Sequence, residues 1–341
     1  MTENAGISGF LKRKNIEFTI KRYGVEALGA MALGLFSSLI VGLILKVLGE
    51  RTGLEILITY GTSAMAMAGP AIGVAVAFGL KAPPLVLFSS TVTGMAGYQL
   101  GGPAGCFVAA VIGAEFGKLV SRETKIDIII TPIMTIITGV AAGTFVGPVI
   151  GQLMSSLGVL IMKATELQPV LMGTIVSVLM GMTLTLPISS AALAIMLDLR
   201  GIAAGAATVG CSAQMIGFAV ASFRENGWGG IVSQGLGTSM LQIPNIVKNP
   251  LIWIPPTLAG AIIGPLSTTI FRMENVAAGA GMGTSGLVGQ FGTLDAMGFS
   301  TTVLLKIGLL HFILPIVLTL AISEFMRGKD LIKLGDMKLH N

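Results

Sequence analysis

The stretch Ile128–Ile150, IIITPIMTIITGVAAGTFVGPVI, contains no charged side chain. A helix of about 20 apolar residues crosses the hydrocarbon core of a bilayer. The rest of the 341-residue chain has the same character, with 53% hydrophobic and 11% charged residues and a mean hydropathy of +0.88. An average soluble domain carries about 25% charged residues. The composition therefore excludes a soluble enzyme and predicts a polytopic membrane protein.

Further apolar segments surround this stretch. Because backbone amides buried in lipid must be paired within the span, the sequence predicts an all-α integral membrane protein with about ten transmembrane helices and some broken or re-entrant segments. The eighth segment is the least apolar and is predicted as either a span or a re-entrant loop. The ten are Ala27–Leu45, Ile56–Leu80, Pro84–Leu100, Ala104–Val120, Ile128–Ile150, Val170–Leu197, Ile202–Phe223, Ile231–Val247, Leu251–Phe271 and Thr301–Ile322.

Basic residues test this count, because short cytoplasmic loops are enriched in Lys and Arg. With both termini inside, fifteen Lys and Arg residues fall inside and five outside; Arg224 is among the outer five. The split predicts a cytoplasmic N-terminal segment (1–26), a membrane domain (27–323) and a cytoplasmic tail (324–341). The first span is predicted to be an uncleaved anchor. The basic ends are better explained as topology anchors than as nucleic-acid-binding arms.

A short motif occurs twice. Ala142-Gly-Thr-Phe-Val-Gly-Pro148 matches Ala259-Gly-Ala-Ile-Ile-Gly-Pro265, and the same offset of 117 residues places Pro70 on Pro187 and Thr91 on Thr208. The offset predicts an internal duplication with repeat units at about 54–168 and 171–290, related by an axis normal to the membrane. Shared Gly and Pro composition is the alternative explanation.

One glycine-rich stretch, 274–290, combines polar side chains with freed backbone groups. Such a stretch is too rich in glycine for a stable lone helix. It is predicted to form a re-entrant hairpin that binds substrate; close glycine packing between helices is the alternative. The candidate ligand-binding residues are Glu274, Asn275, Thr284, Ser285 and Gln290.

A second polar cluster, Gln242 to Pro256, contains four prolines that forbid a continuous helix. The amides of Gln242 and Asn245 both donate and accept hydrogen bonds, which suits a neutral polyol better than an ion. Trp253 is interpreted as an interface anchor or as an apolar face for a sugar ring.

Ionisable groups inside spans single out Glu115, Lys306 and His311. They are candidates for a proton or polar relay. The structural alternatives are an ion pair of Glu115 with Lys118, a snorkelling Lys306 and a hydrogen bond of His311 to a backbone carbonyl. The sequence offers no catalytic nucleophile set, no metal-ligand spacing and no cofactor motif.

At the two polar clusters the chain resembles the membrane family of phosphotransferase-system enzyme IIC proteins that includes the perfringolysin regulator. The resemblance runs from about Gly29 to Ser323. It implies a permease subunit of a bacterial cell membrane that binds a sugar through acidic and amide side chains, here Glu274, Asn275 and Gln290. It also implies a homodimer that works with separate IIA and IIB proteins. Sugar-specific members carry a His in the binding region, whereas His311 lies outside both clusters.

Two functions therefore compete at this point. One is a subunit that translocates a small hydroxylated solute such as a sugar, and the other is a non-phosphorylating transporter or a membrane sensor of the perfringolysin-regulator type. An intramembrane enzyme is the least favoured class, because no catalytic constellation can be assembled from the two His residues.

Overall fold

The computed structural model describes residues 7–339, apart from the side chains of residues 7, 8, 51, 154, 155 and 196. The chain is helical over that range, and the predicted all-α membrane class is confirmed. The predicted terminal segments fall partly outside it, at residues 1–6 and 340–341. The helices are numbered in chain order: α1 (Ile7–Arg13), α2 (Lys21–Glu50), α3 (Glu55–Ala66), α4 (Ala68–Gly79), α5 (Pro84–Val120), α6 (Asp127–Thr165), α7 (Pro169–Thr185), α8 (Ser190–Met196), α9 (Gly201–Ala221), α10 (Phe223–Val232), α11 (Ile243–Lys248), α12 (Pro250–Thr269), α13 (Ala277–Ala280), α14 (Val288–Met297) and α15 (Thr301–Gly328).

Six helices between residues 7 and 339 are long and apolar enough to cross a membrane: α2, α5, α6, α9, α12 and α15. The pair α3 and α4, bent by 50°, makes a seventh. The count of ten is not confirmed. Helix α7 has only 17 residues, and the eighth predicted segment breaks into short turns at Ser233–Gly237 and Ser239–Gln242 before α11.

Helix α5 explains part of the difference. Gly101 and Gly102 leave helical geometry, and the chain doubles back there. A Cβ at Gly97 would come within 2.6 Å of the Gly105 carbonyl oxygen, and one at Gly117 would meet the side chain of Val86. The third and fourth predicted spans are therefore antiparallel arms of one element.

The chain divides into two compact units, Met1–Leu153 and Met154–Asn341. The repeat boundary predicted at 168–171 from the 117-residue offset stays a prediction.

In the second unit, α7, α9 and α12 pack closely through small residues. The backbone of Gly210 on α9 lies directly against Ser177 on α7, and the Ser177 hydroxyl donates to the Gly260 carbonyl on α12 at 2.7 Å. Small residues let membrane helices approach closely enough for such contacts. These three helices form the framework that the polar segments pack against.

The two ends of the second unit are named after a basic residue at each, Arg272 and Arg327. At the Arg272 end, α9 begins, and Gly201 forms a two-way backbone bridge with Asn275. At the Arg327 end, α9 and α15 both finish, and Arg224 pairs with Glu324 at 3.2 Å. Helices α9 and α15 therefore run parallel. The charge count that placed Arg224 outside and Arg327 inside is wrong, because the two residues lie at the same end.

Candidate functional site

The glycine-rich stretch forms a hairpin, residues 274–297, that enters the second unit from the Arg272 end and returns to it. The two ends of the hairpin lie side by side, because the Glu274 N–H contacts the Met297 sulfur at 3.3 Å. Near the middle of the hairpin, the Thr284 hydroxyl reaches the sulfur of Met215, about two-thirds of the way along α9. The segment is thus re-entrant, as the sequence predicts.

Asn275 fastens the base of this hairpin. Its side-chain amide nitrogen, which carries two hydrogens, lies 2.6 Å from the Thr208 hydroxyl, 2.8 Å from the Gly289 carbonyl and 3.2 Å from the Thr293 hydroxyl. Its oxygen accepts from the N–H of Val276. Since both the nitrogen and the oxygen of the buried amide are bonded within the protein, Asn275 holds the hairpin closed.

The tip of the hairpin lies against α9 and against the turn Ser233–Gly237. Gly283 has φ +52°, and a Cβ there would meet the backbone of Cys211 and Ser212. Only glycine fits such a position without strain. The hydroxyl of Thr284 donates to the Gly235 carbonyl at 2.5 Å. The tip therefore contacts a segment that comes from the Arg327 end.

Gln290 and His311 form a buried pair across the hairpin and α15. The Gln290 amide nitrogen lies 3.0 Å from His311 Nδ1. A π-helical turn at Gly308–Ile313 carries the ring, and π turns inside helices occur frequently at functional sites. The sequence placed His311 outside both clusters, but the fold brings it to Gln290.

Four polar atoms in this region are buried and have no hydrogen-bond partner within the described part of the chain. They are Gln290 Oε1, His311 Nε2, Ser285 Oγ and Ser212 Oγ. Buried polar groups are nearly always paired, so each such exception calls for an explanation. Together they offer donors and acceptors of the kind that a hydroxylated molecule can satisfy.

The second polar cluster contacts a different part of the chain. Gln242 donates to Gln234 at 2.7 Å and to the Met337 carbonyl at 3.0 Å, and Asn245 donates to the Lys338 carbonyl at 2.9 Å. Both amides are buried and hold the C-terminal residues. Their predicted role in ligand binding stays a prediction.

The remaining predicted residues have structural partners or lie at the surface. Glu115 belongs to the first unit, where it pairs with Lys118 at 2.9 Å and accepts from the Tyr23 hydroxyl at 3.3 Å. Lys306 donates to the Phe271 carbonyl at 2.9 Å, beyond the end of α12. Glu274 is exposed. These placements favour the structural alternatives for Glu115 and Lys306.

Sequence reasoning missed Thr208 and Ser212, because hydroxyl residues in an apolar helix give no signal beyond their polarity.

The indole N–H of Trp253 donates to Gln214 at 3.0 Å, and Gln214 donates to Thr257 at 2.9 Å. Trp253 therefore has a hydrogen-bond partner inside the unit. This second network is satisfied internally.

A groove of about 570 Å³ opens between α9, α10 and α15. Its lining is almost entirely apolar, and Arg224 and Glu324 stand at its rim as an ion pair. A hydroxylated solute would lose its hydrogen bonds to water there without replacement. The polar hairpin region is the better candidate for such a solute.

No group of three or more His, Cys, Asp or Glu side chains that could hold a metal ion occurs among the described residues. A sequence model of the family described as "Phosphotransferase system, EIIC" matches residues 25–339. No curated protein and no solved structure matches the chain.

Proposed function

The chain belongs to the phosphotransferase-system EIIC family, a family of membrane permease components, and from that premise we propose that it binds and translocates a small neutral hydroxylated solute, a sugar or polyol. The observation that carries this proposal is the Gln290–His311 pair, in which Gln290 Oε1 and His311 Nε2 are buried and unpaired. An amide oxygen can accept the hydrogen of a hydroxyl group, while a ring N–H can donate to the hydroxyl oxygen.

The binding region in this proposal is the hairpin 274–297 together with α15. Ser285 and Ser212 supply further hydroxyls, and Thr284 bonds the tip to Gly235. Exposed Glu274 stands at the mouth of the hairpin at the Arg272 end, where a solute would arrive or leave. Gln242 and Asn245 join the site when the C-terminal residues leave them.

Separate IIA and IIB proteins would supply phosphoryl transfer, since the sequence offers no catalytic nucleophile set. We propose likewise a homodimer in a bacterial cell membrane, with the termini in the cytoplasm. The competing function, a non-phosphorylating transporter or sensor, is distinguished by the product. Transport coupled to IIA and IIB delivers the solute as its phosphate ester, and the alternative delivers it unchanged.

A thermal-shift screen of the purified protein against neutral sugars and polyols tests the binding proposal. A ligand of the native state raises the unfolding temperature by mass action. We expect at least one compound to stabilise the wild-type chain and the Gln168→Ala control, whose side chain is exposed, but not Gln290→Ala. A screen in which no sugar or polyol acts, or in which all three proteins respond equally, would contradict the proposal.

A further inference from the structure

Residues 329–339, here called the tail, follow α15 and fold back onto the second unit. Four amide side chains hold them: Asn226, Gln242, Asn245 and Asn249, here called the amide groove. Asn226 donates to the Met337 carbonyl at 2.8 Å and accepts from the Leu339 N–H at 2.8 Å. Asn249 donates to the Leu331 carbonyl at 3.2 Å and to the Asp336 carboxylate at 2.8 Å.

Most of these bonds go to the main chain of the tail. The carbonyls of Leu331, Met337 and Lys338 accept them, and the N–H of Gly335 donates to Glu225 at 3.2 Å. Amides that bond backbone carbonyls recognise the main chain of a peptide largely independently of its side chains. The groove therefore has the chemistry of a peptide-binding site.

Two side chains of the tail supply apolar anchors. Ile332 is 2% exposed and Met337 is 1% exposed. They pack into a cluster with Phe218, Ile252 and Met326, at the Arg327 end. Main-chain bonds hold a bound peptide, and buried side-chain anchors such as these fix its register.

The groove is connected to the hairpin tip by direct contacts. Gln242, which holds the tail, also donates to Gln234 at 2.7 Å. Gln234 precedes Gly235, whose carbonyl accepts from Thr284 at the hairpin tip. Residues 234–242 are therefore bonded both to the hairpin tip and to the tail. They move less freely than a segment bonded to only one of the two.

We propose that the amide groove is a peptide-binding site whose occupant is the chain's own tail, and that detachment of the tail frees residues 233–245 to separate from the hairpin tip. The tail is then a strap that keeps the Arg327 end closed. The strap concerns access to the hairpin and does not depend on which solute binds there.

Labelling of a single cysteine at the hairpin tip tests this proposal. In a Cys106→Ala, Cys211→Ala background, Ser285→Cys reports access to the tip and Thr301→Cys, an exposed position at the Arg272 end, serves as the control. Truncation after Gly328 should raise the rate of maleimide labelling at position 285 at least about tenfold and leave position 301 unchanged. The synthetic peptide KDLIKLGDMKLHN should restore slow labelling, and a scrambled peptide should not.

A full-length variant guards against a truncated chain that does not fold. Asn226→Ala combined with Asn245→Ala removes donors to the Met337 and Lys338 carbonyls and should increase both protease cleavage of the tail and labelling at position 285. Unchanged labelling while the tail is cleaved would overturn the proposal. Failure of both the truncated chain and the double variant to fold would also overturn it, because the tail would then be a fixed part of the core.

Discussion

Arg327 Nη2 lies 2.9 Å from Glu225 Oε1, and both side chains are at most 10% exposed. The same guanidinium group donates to the Ala221 carbonyl at 3.1 Å, at the C-terminus of α9. A cation is favoured at a helix C-terminus, where unpaired carbonyls gather. These contacts place the ends of α9 and α15 side by side, so the two helices run parallel in the second unit.

The first prediction is therefore that Arg224 and Lys333 lie on one side of the membrane and Arg272 on the other. In a cysteine-free background, a membrane-impermeant maleimide should label Arg224→Cys and Lys333→Cys from the same side, which we expect to be the cytoplasm. Arg272→Cys should be labelled only from the opposite side. Labelling of positions 224 and 333 from opposite sides would contradict the parallel arrangement of α9 and α15.

The second prediction concerns the affinity for a sugar or polyol found by the thermal-shift screen. Gln290→Ala removes a buried amide that has an unpaired oxygen, so we expect a loss of about 1–3 kcal/mol in binding, or about 5- to 150-fold in Kd. Titration calorimetry measures the change. The exposed Gln168→Ala control should bind like the wild type. Equal affinities for Gln290→Ala and the wild type would remove the pair from the site.

The third prediction separates Asn275 from Gln290. Because Asn275 bonds Thr208, Gly289 and Thr293 within the protein, Asn275→Ala should lower the unfolding temperature without any ligand present. Each buried partner left unpaired costs about 1–3 kcal/mol. Gln290→Ala leaves one buried partner, His311 Nδ1, without its bond and should therefore lower the ligand-free unfolding temperature less than Asn275→Ala does. If Asn275→Ala unfolds at the wild-type temperature, Asn275 does not fasten the hairpin.

Composition and local pattern were sufficient for the membrane class and for the re-entrant hairpin. An uncharged, glycine-rich stretch such as 275–290 can lie in a membrane only if protein or a wet cavity surrounds it, and that constraint is local. The ends of α9 and α15 were not predictable in this way. Their alignment depends on which segments turn back before crossing, and hydropathy does not distinguish a turn from a crossing.

The candidate site was predictable only in part. The sequence singled out Gln290 and His311 separately, because both are polar residues in apolar surroundings. Their contact depends on how α15 packs against the hairpin, because the two residues are 21 positions apart along the chain. The amides of Gln242 and Asn245 were also singled out, but their present partners lie more than 90 residues away, in the tail.

The fourth prediction tests the close packing of α7 on α9. A Cβ at Gly210 would overlap the Ser177 carbonyl, so Gly210→Ala must push the two helices apart. Overpacking of this kind costs about 1–3 kcal/mol. A Cβ at Gly328 would meet nothing within 4 Å, and Gly328→Ala is the matched control. Thermal unfolding should show a clear loss for Gly210→Ala only; equal unfolding temperatures would contradict the close approach.

The last prediction is a pH effect at the N-terminal segment of the first unit. The Lys14 ammonium group lies 2.5 Å from the Glu123 carboxylate, and this hydrogen bond, with the charge of Lys14, lowers the pKa of Glu123. When the pKa of a carboxyl group is lower in the folded state, its contribution to stability is fully present above the unfolded pKa, about 4.3 for Glu. That contribution is lost as the pH falls through the folded pKa.

A spin label at exposed Lys12→Cys should therefore become more mobile below about pH 4.3. Glu123→Gln should weaken this dependence, whereas Glu166→Gln, at another exposed site, should keep it. A mobility profile that Glu123→Gln leaves unchanged would show that Lys14 is held by the Ser121 carbonyl alone, to which it also donates.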